Sequence, residues 1–427
     1  MRRKLQFLAV CLEVLFITSL IFVGPLTSGA QAAEKPIRIG FSMALSGGLG
    51  SAGKAALLSL QICAEDINAK GGVLGRPVEL VYYDDRSDPV EASNIYTKLI
   101  KVDKVDFVLG PYATAPIAAA LPVAMENKMV FVALFGVANN EQLNYKYYFQ
   151  ILPAGPEPYI GWSNGFFELA SQQTPKPKTV ALLAEDNAYG INAQIGAERN
   201  AKKYGFEIVY KKKLASGTTD CTPMMKEIKE LKPDIVYLAT YPPAVVSTIK
   251  AAKEVGLKPK IFGGGLVGAQ YTSVQTGLGP DLNGIIFQHF WVPEPTLKFP
   301  GIEEFLKKYQ TRAVSIQGLD PLGYYLTPWA YAYLQVLSQA IEATKSLDQA
   351  TVGEYIRNNT FETIVGKIKF APNGEWTVER VLQVQVQNVK SHDVSEFSKS
   401  GTFIVLYPKE FVSGKIIYPF LGWEEKK

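Results

Sequence analysis

From Ile37 onwards, short apolar runs alternate with longer stretches in which apolar residues recur every three or four positions. The short runs predict β-strands, and the longer stretches predict amphipathic helices. In the stretch 55–69, for example, Leu57, Leu60 and Ala64 fall on one helical face. The first part of the chain is therefore predicted to hold strands at 37–45, 78–83, 105–109 and 130–134 and helices at 55–69, 89–102 and 115–127.

A second cycle of the same kind begins near residue 159. Its predicted strands are 179–184, 207–213, 235–239 and 260–263, and its predicted helices are 159–172, 191–204, 223–231 and 243–255. Beyond residue 282 the pattern predicts a strand at 284–290, helices at 301–311, 321–343 and 352–358, and a tail of strands and turns from residue 361. Strands that are nearly all apolar and alternate with helices are typical of parallel sheets covered on both faces.

We therefore predict an α/β protein with two doubly wound parallel-sheet lobes. Residues 33–150 and 286–360 are assigned to the first lobe, and residues 151–285 and 361–427 to the second. The chain then crosses between the lobes near 147–154, 285–292 and 360–390, and these crossings form a multi-strand hinge. Since ligands of open α/β sheets bind outside the carboxyl ends of the strands, the cleft between the lobes is the predicted site.

The first 32 residues have the features of a secretory signal peptide. A basic start at 2–4 precedes an apolar run at 5–23, and Ala-Gln-Ala at 30–32 offers the small residues that a signal peptidase accepts. The alternative is a membrane anchor, since 19 residues could just span a bilayer. Glu13 in the middle of the run disfavours that alternative, and we expect the mature chain to be exported.

Composition narrows the classes of function. Outside the signal peptide the chain has 41 basic and 39 acidic residues, a balance too mild for nucleic-acid binding as the main function. Two histidines leave little for a multi-histidine metal site. Cys63 and Cys221 are 158 positions apart, and we expect two inert buried thiols, with a disulfide as the alternative in an oxidising compartment.

The most suggestive motif is a glycine-rich loop at 47–55, between the first strand and the first helix. Gly48 to Gly53 match the dinucleotide pattern G-x-G-x-x-G, and the loop nearly matches a phosphate loop. However, Ala55 stands where a phosphate loop needs Ser or Thr, and Asp84 lies more than 30 positions on, where a dinucleotide site needs an acid after about 20. We expect loop amides that approach another ligand, such as a carboxylate.

The sequence shows no pattern typical of catalysis or metal binding. There is no G-x-S-x-G elbow and no C-x-x-C or H-x-x-x-H spacing, and His289 and His392 lack a nucleophile motif. The acid pairs Asp84-Asp85 and Glu185-Asp186 each end a strand. For Asp84-Asp85 a surface turn or helix cap is the predicted role, and acid–base chemistry is the alternative. We predict no catalytic residue, no metal and no cofactor.

Aromatic and small polar residues follow several predicted strands. Tyr112-Ala113-Thr114 follow the third strand, and Ala133-Leu134-Phe135-Gly136 follow the fourth. In the second cycle, Asn187-Ala188-Tyr189-Gly190 and Thr240-Tyr241 occupy the same kind of position. Because the carboxyl ends of parallel strands share one edge of a sheet, these residues are candidates for the cleft. Each could equally be core or loop filler.

Several segments resemble the branched-chain amino acid type of periplasmic solute-binding protein, the receptor of an ABC importer. The run Asn-Ala-Lys-Gly-Gly-Val-Leu-Gly-Arg-Pro at 68–77 is the most specific, and 39–47, Asp84-Asp85, Ala188-Tyr189-Gly190 and 251–257 follow the family's order. The resemblance implies the type I periplasmic binding protein fold, closure on a small solute, and presentation to the subunits of a membrane permease. We also expect a monomer that binds no nucleic acid.

The resemblance and the strand-end positions together give a set of candidate ligand-binding residues. They are Ser46, Gly47, Ser51, Tyr112, Ala113, Thr114, Ala133, Leu134, Phe135, Gly136, Tyr189, Tyr241, Gly264 and Phe290.

The chain departs from the amino-acid-binding members that it resembles. Those members hold the ligand's ammonium with an acid from the second lobe, where this chain has Gly263-Gly264-Gly265-Leu266, and the segment 133–137 is apolar instead of rich in Ser and Thr. An unpaired buried ammonium is costly, and the aromatic candidates suit a flat or apolar ligand. We therefore predict a small apolar or aromatic carboxylate. An aliphatic amino acid or amide, a ligand sensor and a secreted enzyme are the alternatives.

Overall fold

The computed structural model describes residues 35–423. The predicted signal peptide and the last four residues of the predicted second lobe lie outside the described residues. None of the helices within residues 35–423 combines the length and the hydrophobicity that a membrane span requires.

Most of the described strands coincide with apolar runs of the sequence. In chain order they are β1 (Ile37–Met43), β2 (Val78–Asp84), β3 (Phe107–Tyr112), β4 (Phe131–Leu134), β5 (Tyr148–Gln150), β6 (Thr179–Glu185), β7 (Glu207–Leu214), β8 (Ile235–Thr240), β9 (Ile261–Leu266), β10 (Ile286–His289), β11 (Thr360–Thr363), β12 (Gly366–Lys369), β13 (Leu382–Val386) and β14 (Phe403–Tyr407).

The described α-helices connect these strands. They are α1 (Gly50–Ala69), α2 (Pro89–Lys101), α3 (Thr114–Glu126), α4 (Pro158–Gly161), α5 (Asn164–Ser171), α6 (Ala188–Lys203), α7 (Thr222–Leu231), α8 (Ala244–Glu254), α9 (Thr272–Leu278), α10 (Ile302–Ala313), α11 (Thr327–Thr344) and α12 (Gln349–Asn358).

Two large sheets organise the described chain, and the predicted fold class is confirmed. The first sheet has the order β2-β1-β3-β4-β5, and all its pairs are parallel. The second has the order β14-β13-β10-β9-β8-β6-β7 and is parallel from β10 to β7. Strand β13 pairs antiparallel with β10 and with β14. No α-helix lies between β13 and β14, because antiparallel neighbours, unlike parallel ones, do not need a crossover connection.

Some boundaries differ from the sequence prediction. Helix α1 begins at Gly50, five positions earlier than predicted, because its glycines allow the first turn to pack against β1. The single helix predicted at 159–172 is divided into α4 and α5. Between them the Asn200 amide donates to the Ile160 carbonyl (2.8 Å) and to Ser163 Oγ (2.9 Å), which replaces hydrogen bonds of a continuous helix.

The chain passes between the two sheets more than once. Strand β10 still belongs to the second sheet, so the chain leaves that sheet after residue 289, within the predicted crossing at 285–292. Helix α11 then packs against α1 and β4 of the first sheet, and it also contacts β11. The hairpin of β11 and β12 thus lies beside elements of the first sheet, although residues from 361 were assigned to the second lobe. The complete lobe boundaries stay a prediction.

Arg380 fixes the last crossing in place. Its guanidinium lies 5.2 Å from the Trp329 ring and 4.8 Å from the Trp376 ring, and Nη2 donates to the Val365 carbonyl (2.7 Å). Burial lowers the pKa of Arg380 to about 10, so the group stays charged and is held by aromatic faces. The Arg380 amide also donates to the Pro153 carbonyl (2.8 Å), which joins the last crossing to the first.

The glycine loop supplies a stability prediction. A Cβ added to Gly53 would lie 1.8 Å from the Ala44 carbonyl oxygen, whereas a Cβ on Gly48 would meet no atom within 4 Å. We expect Gly53→Ala to lower the free energy of unfolding by about 1–3 kcal/mol, since α1 must move away from β1. Gly48→Ala is the matched control and should change it by less than about 0.5 kcal/mol. Urea unfolding of both variants checks this, and equal stabilities would contradict the packing argument.

Candidate functional site

A cavity of about 320 Å³ lies where strands of both sheets end. One wall is built by residues that follow β1, β2 and β3, and the other by residues at or after the ends of β6, β7 and β8. The lining residues are Gly48, Leu49, Ser87, Ala113, Ala115, Pro116, Glu185, Asn187, Tyr189, Ser216, Gly217, Tyr241, Pro242 and Pro243. This is the position at which open α/β sheets bind ligands.

The glycine loop is held from behind by the end of β2. The Asp84 carboxylate accepts from Ser46 Oγ (2.6 Å) and from the Leu45 amide (2.9 Å). Burial alone would raise the pKa of Asp84, but these hydrogen bonds outweigh it and lower the pKa below its usual value. Ser87 Oγ donates to the Ser46 carbonyl (2.8 Å) and accepts from the Leu49 amide (3.1 Å). The Ser46 hydroxyl is thereby used within the loop.

Two helices begin at the first-sheet wall without a side-chain cap. Helix α1 starts after Leu49 and helix α3 starts after Ala113, and neither residue makes a side-chain hydrogen bond to its helix. The first-turn amides of a helix have no partner within the helix and carry the positive end of its dipole. In α1 the Gly50 amide already donates to the Gly47 carbonyl (3.2 Å), and Pro116 in the first turn of α3 has no N–H, so the other first-turn residues supply the amides. This wall therefore favours an anionic group. Helix α6 differs, because Asn187 Oδ1 caps it by accepting from the Gly190 amide (2.9 Å).

Glu185 brings a carboxylate to the opposite wall. It ends β6 and is only 1% exposed. Its Oε2 accepts from Asn187 Nδ2 (2.7 Å). Burial raises the pKa of Glu185 to about 7, although hydrogen bonds from Asn187 and from the backbone of Tyr241 and Gly217 favour the charged form.

The surface position predicted for Asp84-Asp85 is wrong for Asp85, which is buried and accepts from Ser42 Oγ (2.8 Å). Asp186, the neighbour of Glu185, is exposed and pairs with Lys213 (2.8 Å).

Aromatic side chains fill the inner part of the cleft. A second space beside the cavity has about 10 Å³, roughly the room that one water needs. Its lining residues are Tyr112, Thr114, Phe135, Val137, Leu152, Trp162, Tyr189, Tyr241, Val267 and Tyr325. The ring centres of Phe135 and Phe290 are 4.5 Å apart, and those of Tyr189 and Tyr241 are 4.7 Å apart. These rings come from both sheets and pack directly on each other.

Hydrogen bonds also connect the two sides of the cleft. The Tyr112 hydroxyl lies 3.2 Å from the Tyr271 hydroxyl, which follows β9. The Asp320 carboxylate, just before α11, accepts from the Thr272 amide (2.9 Å) and from Thr272 Oγ1 (2.7 Å) at the start of α9. Asn192 of α6 donates to the Val137 carbonyl (2.8 Å). The structure therefore has the cleft in a closed arrangement.

Comparison with known proteins identifies the family. The family model described as periplasmic binding protein matches residues 36–392. The chain belongs to this family. A Leu/Ile/Val-binding protein from Citrobacter freundii is 24% identical over 347 residues, which cover 81% of this chain and 89% of that protein. The chain is thus a periplasmic binding protein of the branched-chain amino acid type.

Solved structures show the same fold. The branched-chain amino acid transporter substrate binding protein LivJ from Streptococcus pneumoniae, in complex with isoleucine, has a TM-score of 0.71 and 20% identity and covers 88% of this chain and 100% of its own. A solute binding protein of an ABC transporter from Rhodopseudomonas palustris, in complex with 3,4-dihydroxy benzoic acid, has a TM-score of 0.69 and 19% identity, with 83% and 94% covered. The periplasmic binding protein described here has the two-lobe type I fold.

The structure brings only part of the predicted residue set to the cavity of this binding protein. Three of the predicted residues line the larger cavity: Ala113, Tyr189 and Tyr241. Tyr112, Thr114 and Phe135 line the inner space, and Phe290 packs on Phe135. The other predicted residues are outside both linings: Ser46, Gly47, Ser51, Ala133, Leu134, Gly136 and Gly264.

Local packing explains why these predicted residues line neither cavity. A Cβ on Gly47, which has φ +76°, would be 2.3 Å from the Arg86 carbonyl oxygen, and a Cβ on Gly136 would be 2.0 Å from Asn139 Oδ1. Ala133 and Leu134 are fully buried within β4. A Cβ on Gly264 would be 2.6 Å from the Tyr237 ring. These positions support the walls of the cleft from behind, and their contact with a ligand stays a prediction.

Several lining residues were not predicted. Glu185, Ser216, Gly217, Pro242 and Pro243 lie at or directly after the ends of β6, β7 and β8, so the strand-end rule could have found them. Trp162 and Tyr325 could not be found in this way. They precede or interrupt helices, and only the packing of the crossings brings them to the cleft.

The histidine and cysteines considered as candidates for chemistry are buried within the fold. His289 is buried at the end of β10, where burial lowers its pKa to about 3 and Nδ1 accepts from the Phe290 amide (2.9 Å). Cys63 and Cys221 are buried and form no disulfide, as expected. Within residues 35–423 no group of three or more His, Cys, Asp or Glu side chains is placed to hold a metal ion.

Glu185 gives this binding protein a pH-dependent stability. Because its folded pKa of about 7 is above the usual 4.5, the native state binds a proton that the unfolded state releases as the pH rises through this interval, and stability falls. We expect Glu185→Gln to gain on the order of 3 kcal/mol of unfolding free energy relative to the wild type between pH 4.5 and pH 8.

Chemical denaturation at several pH values measures this difference. Asp186→Asn is the control, because Asp186 is exposed at the same strand end, and its stability should run parallel to that of the wild type. A constant difference in unfolding free energy between Glu185→Gln and the wild type across the pH range would show that folding does not raise the pKa of Glu185.

Proposed function

We propose that this protein is the periplasmic solute-binding receptor of an ABC importer, and that it captures a small apolar or aromatic carboxylate in the cleft by hinge closure. The observation that carries the proposal is the cavity of about 320 Å³ at the facing strand ends, with apolar walls and two uncapped helix starts. A cavity of this size is at the lower end of the range for small-molecule sites.

The walls favour an apolar or flat ligand. Tyr189 and Tyr241 present rings to the cavity, and Leu49, Pro116 and Pro243 add aliphatic surface. Tyr189 is held in position because its hydroxyl donates to the Gly265 carbonyl (2.7 Å). Aromatic rings that are fixed in this way gain contact area with a ligand without losing much conformational freedom on binding.

The first-sheet wall favours a carboxylate. The starts of α1 and α3 direct their dipoles at the cavity, and such helix ends bind anions. No Lys, Arg or His belongs to the residues that line the cavity, so the helix ends are the available positive groups. Isoleucine and dihydroxybenzoic acid, the ligands of the two solved relatives, both carry a carboxyl group.

An aliphatic amino acid is the second candidate, and Glu185 is the observation that favours it. A buried carboxylate in the cavity wall is a possible partner for an ammonium. Against it, the segment after β9 offers no acid, and the inner space where a second polar group could sit is filled by aromatic rings.

Closure is the proposed mechanism. A ligand bound to one wall completes its contacts with the other wall and shifts the equilibrium towards the closed form. The bonds of Thr272 to Asp320 and of Asn192 to Val137 add to the stability of that form. We further propose that the protein is exported by its signal peptide, acts as a monomer, delivers its ligand to a permease, and releases it chemically unchanged.

A ligand screen tests the proposal. We expect benzoate-type or other apolar carboxylates to raise the melting temperature of the exported protein, with about 2.7 kcal/mol of added stability at 100 times the dissociation constant. Thermal shift followed by calorimetry makes the measurement, and mass spectrometry of the released ligand should find it unaltered. If leucine and valine raise the melting temperature strongly and carboxylates without an amine do not, the proposed ligand class is wrong.

A single hydroxyl tests closure. Thr272→Val keeps the shape of the side chain but removes its bond to Asp320, so we expect the dissociation constant to rise by roughly tenfold. Small-angle scattering of the ligand-free variant should show a larger radius of gyration than the wild type. Ser273→Ala, at the exposed neighbouring position, should change neither quantity. Unchanged affinity and size in Thr272→Val would argue against this bond as part of closure.

A further inference from the structure

The larger cavity has an acid in its wall and no cation to balance it. Among the residues that line it, Glu185 alone carries a carboxylate, and none is Lys, Arg or His. Glu185 ends β6 and is 1% exposed, so its carboxylate lies behind the surface of the wall and is shielded from water. A ligand that carries a carboxylate therefore brings a second negative charge to a space whose wall already holds one.

Neutral groups surround the Glu185 carboxylate. Asn187 Nδ2 donates to its Oε2 (2.7 Å), and the backbone of Tyr241 and Gly217 also donates to it. These donors favour the charged form, but they carry no positive charge that would offset a second anion. The ionisable groups of the neighbouring elements are neutral because burial raises their pKa: Tyr189 of α6, Cys221 before α7 and Tyr241 after β8.

The charged groups near this strand end are paired or belong to the opposite wall. Asp186 is exposed and pairs with Lys213 of β7 (2.8 Å). Across the cavity, Asp85 is buried behind Ser87, whose amide donates to the Asp85 carboxylate (3.0 Å), and burial raises the pKa of Asp85 to about 6. The lining thus offers a bound anion no cation that would screen it from Glu185.

We propose that the cavity takes up its carboxylate ligand together with one proton, which Glu185 holds. This inference rests on the proposed function. Two carboxylates in one poorly hydrated site disfavour each other's charged form, so one of them is neutralised when both are present. The proton comes from the solvent and stays on Glu185 while the ligand is bound, so that no bond of the ligand changes.

Burial and position decide that Glu185, and not the ligand, holds the proton. Burial raises the pKa of Glu185 to about 7, whereas an ordinary carboxyl group titrates at about 4. The starts of α1 and α3 at the first-sheet wall favour the charged form of the ligand. A rounded space of about 320 Å³ is about 8–9 Å wide, and at this separation the ligand's charge still acts on Glu185 through the wall, without contact.

The affinity for carboxylates is therefore expected to fall as the pH rises. Well below pH 7 Glu185 carries the proton with and without ligand, whereas above pH 7 the free protein has lost it and the ligand must restore it. We expect the dissociation constant of benzoate or isocaproate to rise about tenfold from pH 6 to pH 9. Near pH 7.5 we expect uptake of about half a proton per ligand.

Calorimetry on the exported full-length mature protein makes both measurements. The dissociation constants are measured from pH 6 to pH 9, and proton uptake follows from the binding enthalpy in phosphate and in Tris, which differ in ionisation enthalpy. Leucine, which has the carbon skeleton of isocaproate, is the matched comparison. Its ammonium would favour charged Glu185, so pairing with Glu185 would make leucine release a proton and bind more tightly as the pH rises.

Three variants assign the proton to a residue. Glu185→Gln keeps the shape without the charge, so its affinity should be independent of pH and about tenfold higher than that of the wild type at pH 9. Glu185→Leu should also give a flat profile, so either variant decides if circular dichroism shows that it is folded. Asp186→Asn, the exposed neighbour, should keep the wild-type profile.

The outcomes separate this inference from the proposed function. Carboxylate binding by the wild type without proton uptake would overturn the role of Glu185 and leave the proposed function standing. A decline of affinity that persists in Glu185→Gln would do the same, because the proton would then belong to another group such as Asp85. Leucine binding with proton release, and no binding of benzoate or isocaproate, would overturn the inference and the carboxylate ligand class together. Failure of all three to bind would also overturn both.

Discussion

The parallel strands of both sheets end at one cleft, and this constraint determines what the protein can present to a ligand. Each strand contributes one to three lining residues, at its end or within six positions after it, so the wall is a set of short segments from β1, β2, β3, β6, β7 and β8. The helices that follow these strands point their starts at the same space. Anion attraction is therefore a property of the fold, whereas the shape of the cavity depends on individual side chains.

Aromatic packing decides which part of the cleft is open. The ring centres of Phe135 and Phe290 are 4.5 Å apart and these rings fill the inner space, so that the cavity lies towards the starts of α3 and α8. The glycines of β9 belong to the same arrangement. A Cβ on Gly265 would lie 2.6 Å from the Tyr189 hydroxyl, and one on Gly263 would lie 1.7 Å from the Ile286 carbonyl oxygen. Neighbouring groups approach this segment so closely that only glycine fits, and the segment therefore carries no acidic side chain.

Glu185 makes the stability of the protein depend on pH. Burial removes its carboxylate from water and raises its pKa to about 7, although hydrogen bonds from Asn187 and from the backbone of Tyr241 and Gly217 favour the charged form. The physical origin is the cost of burying a charged group.

The sequence alone determined the fold class, because hydrophobic periodicity reports which residues face a core, and it placed most strands of both sheets within a few residues. It also indicated the loops at the strand ends, and with them Ala113, Tyr189 and Tyr241. It could not show that Glu185 is buried while Asp186 is exposed, since the strand ends between them and only the tertiary packing decides where its cover stops. The positions of Trp162, Tyr325 and Asp320 were likewise set by the tertiary structure, because contacts across the cleft join residues that are distant in the chain and carry no local pattern.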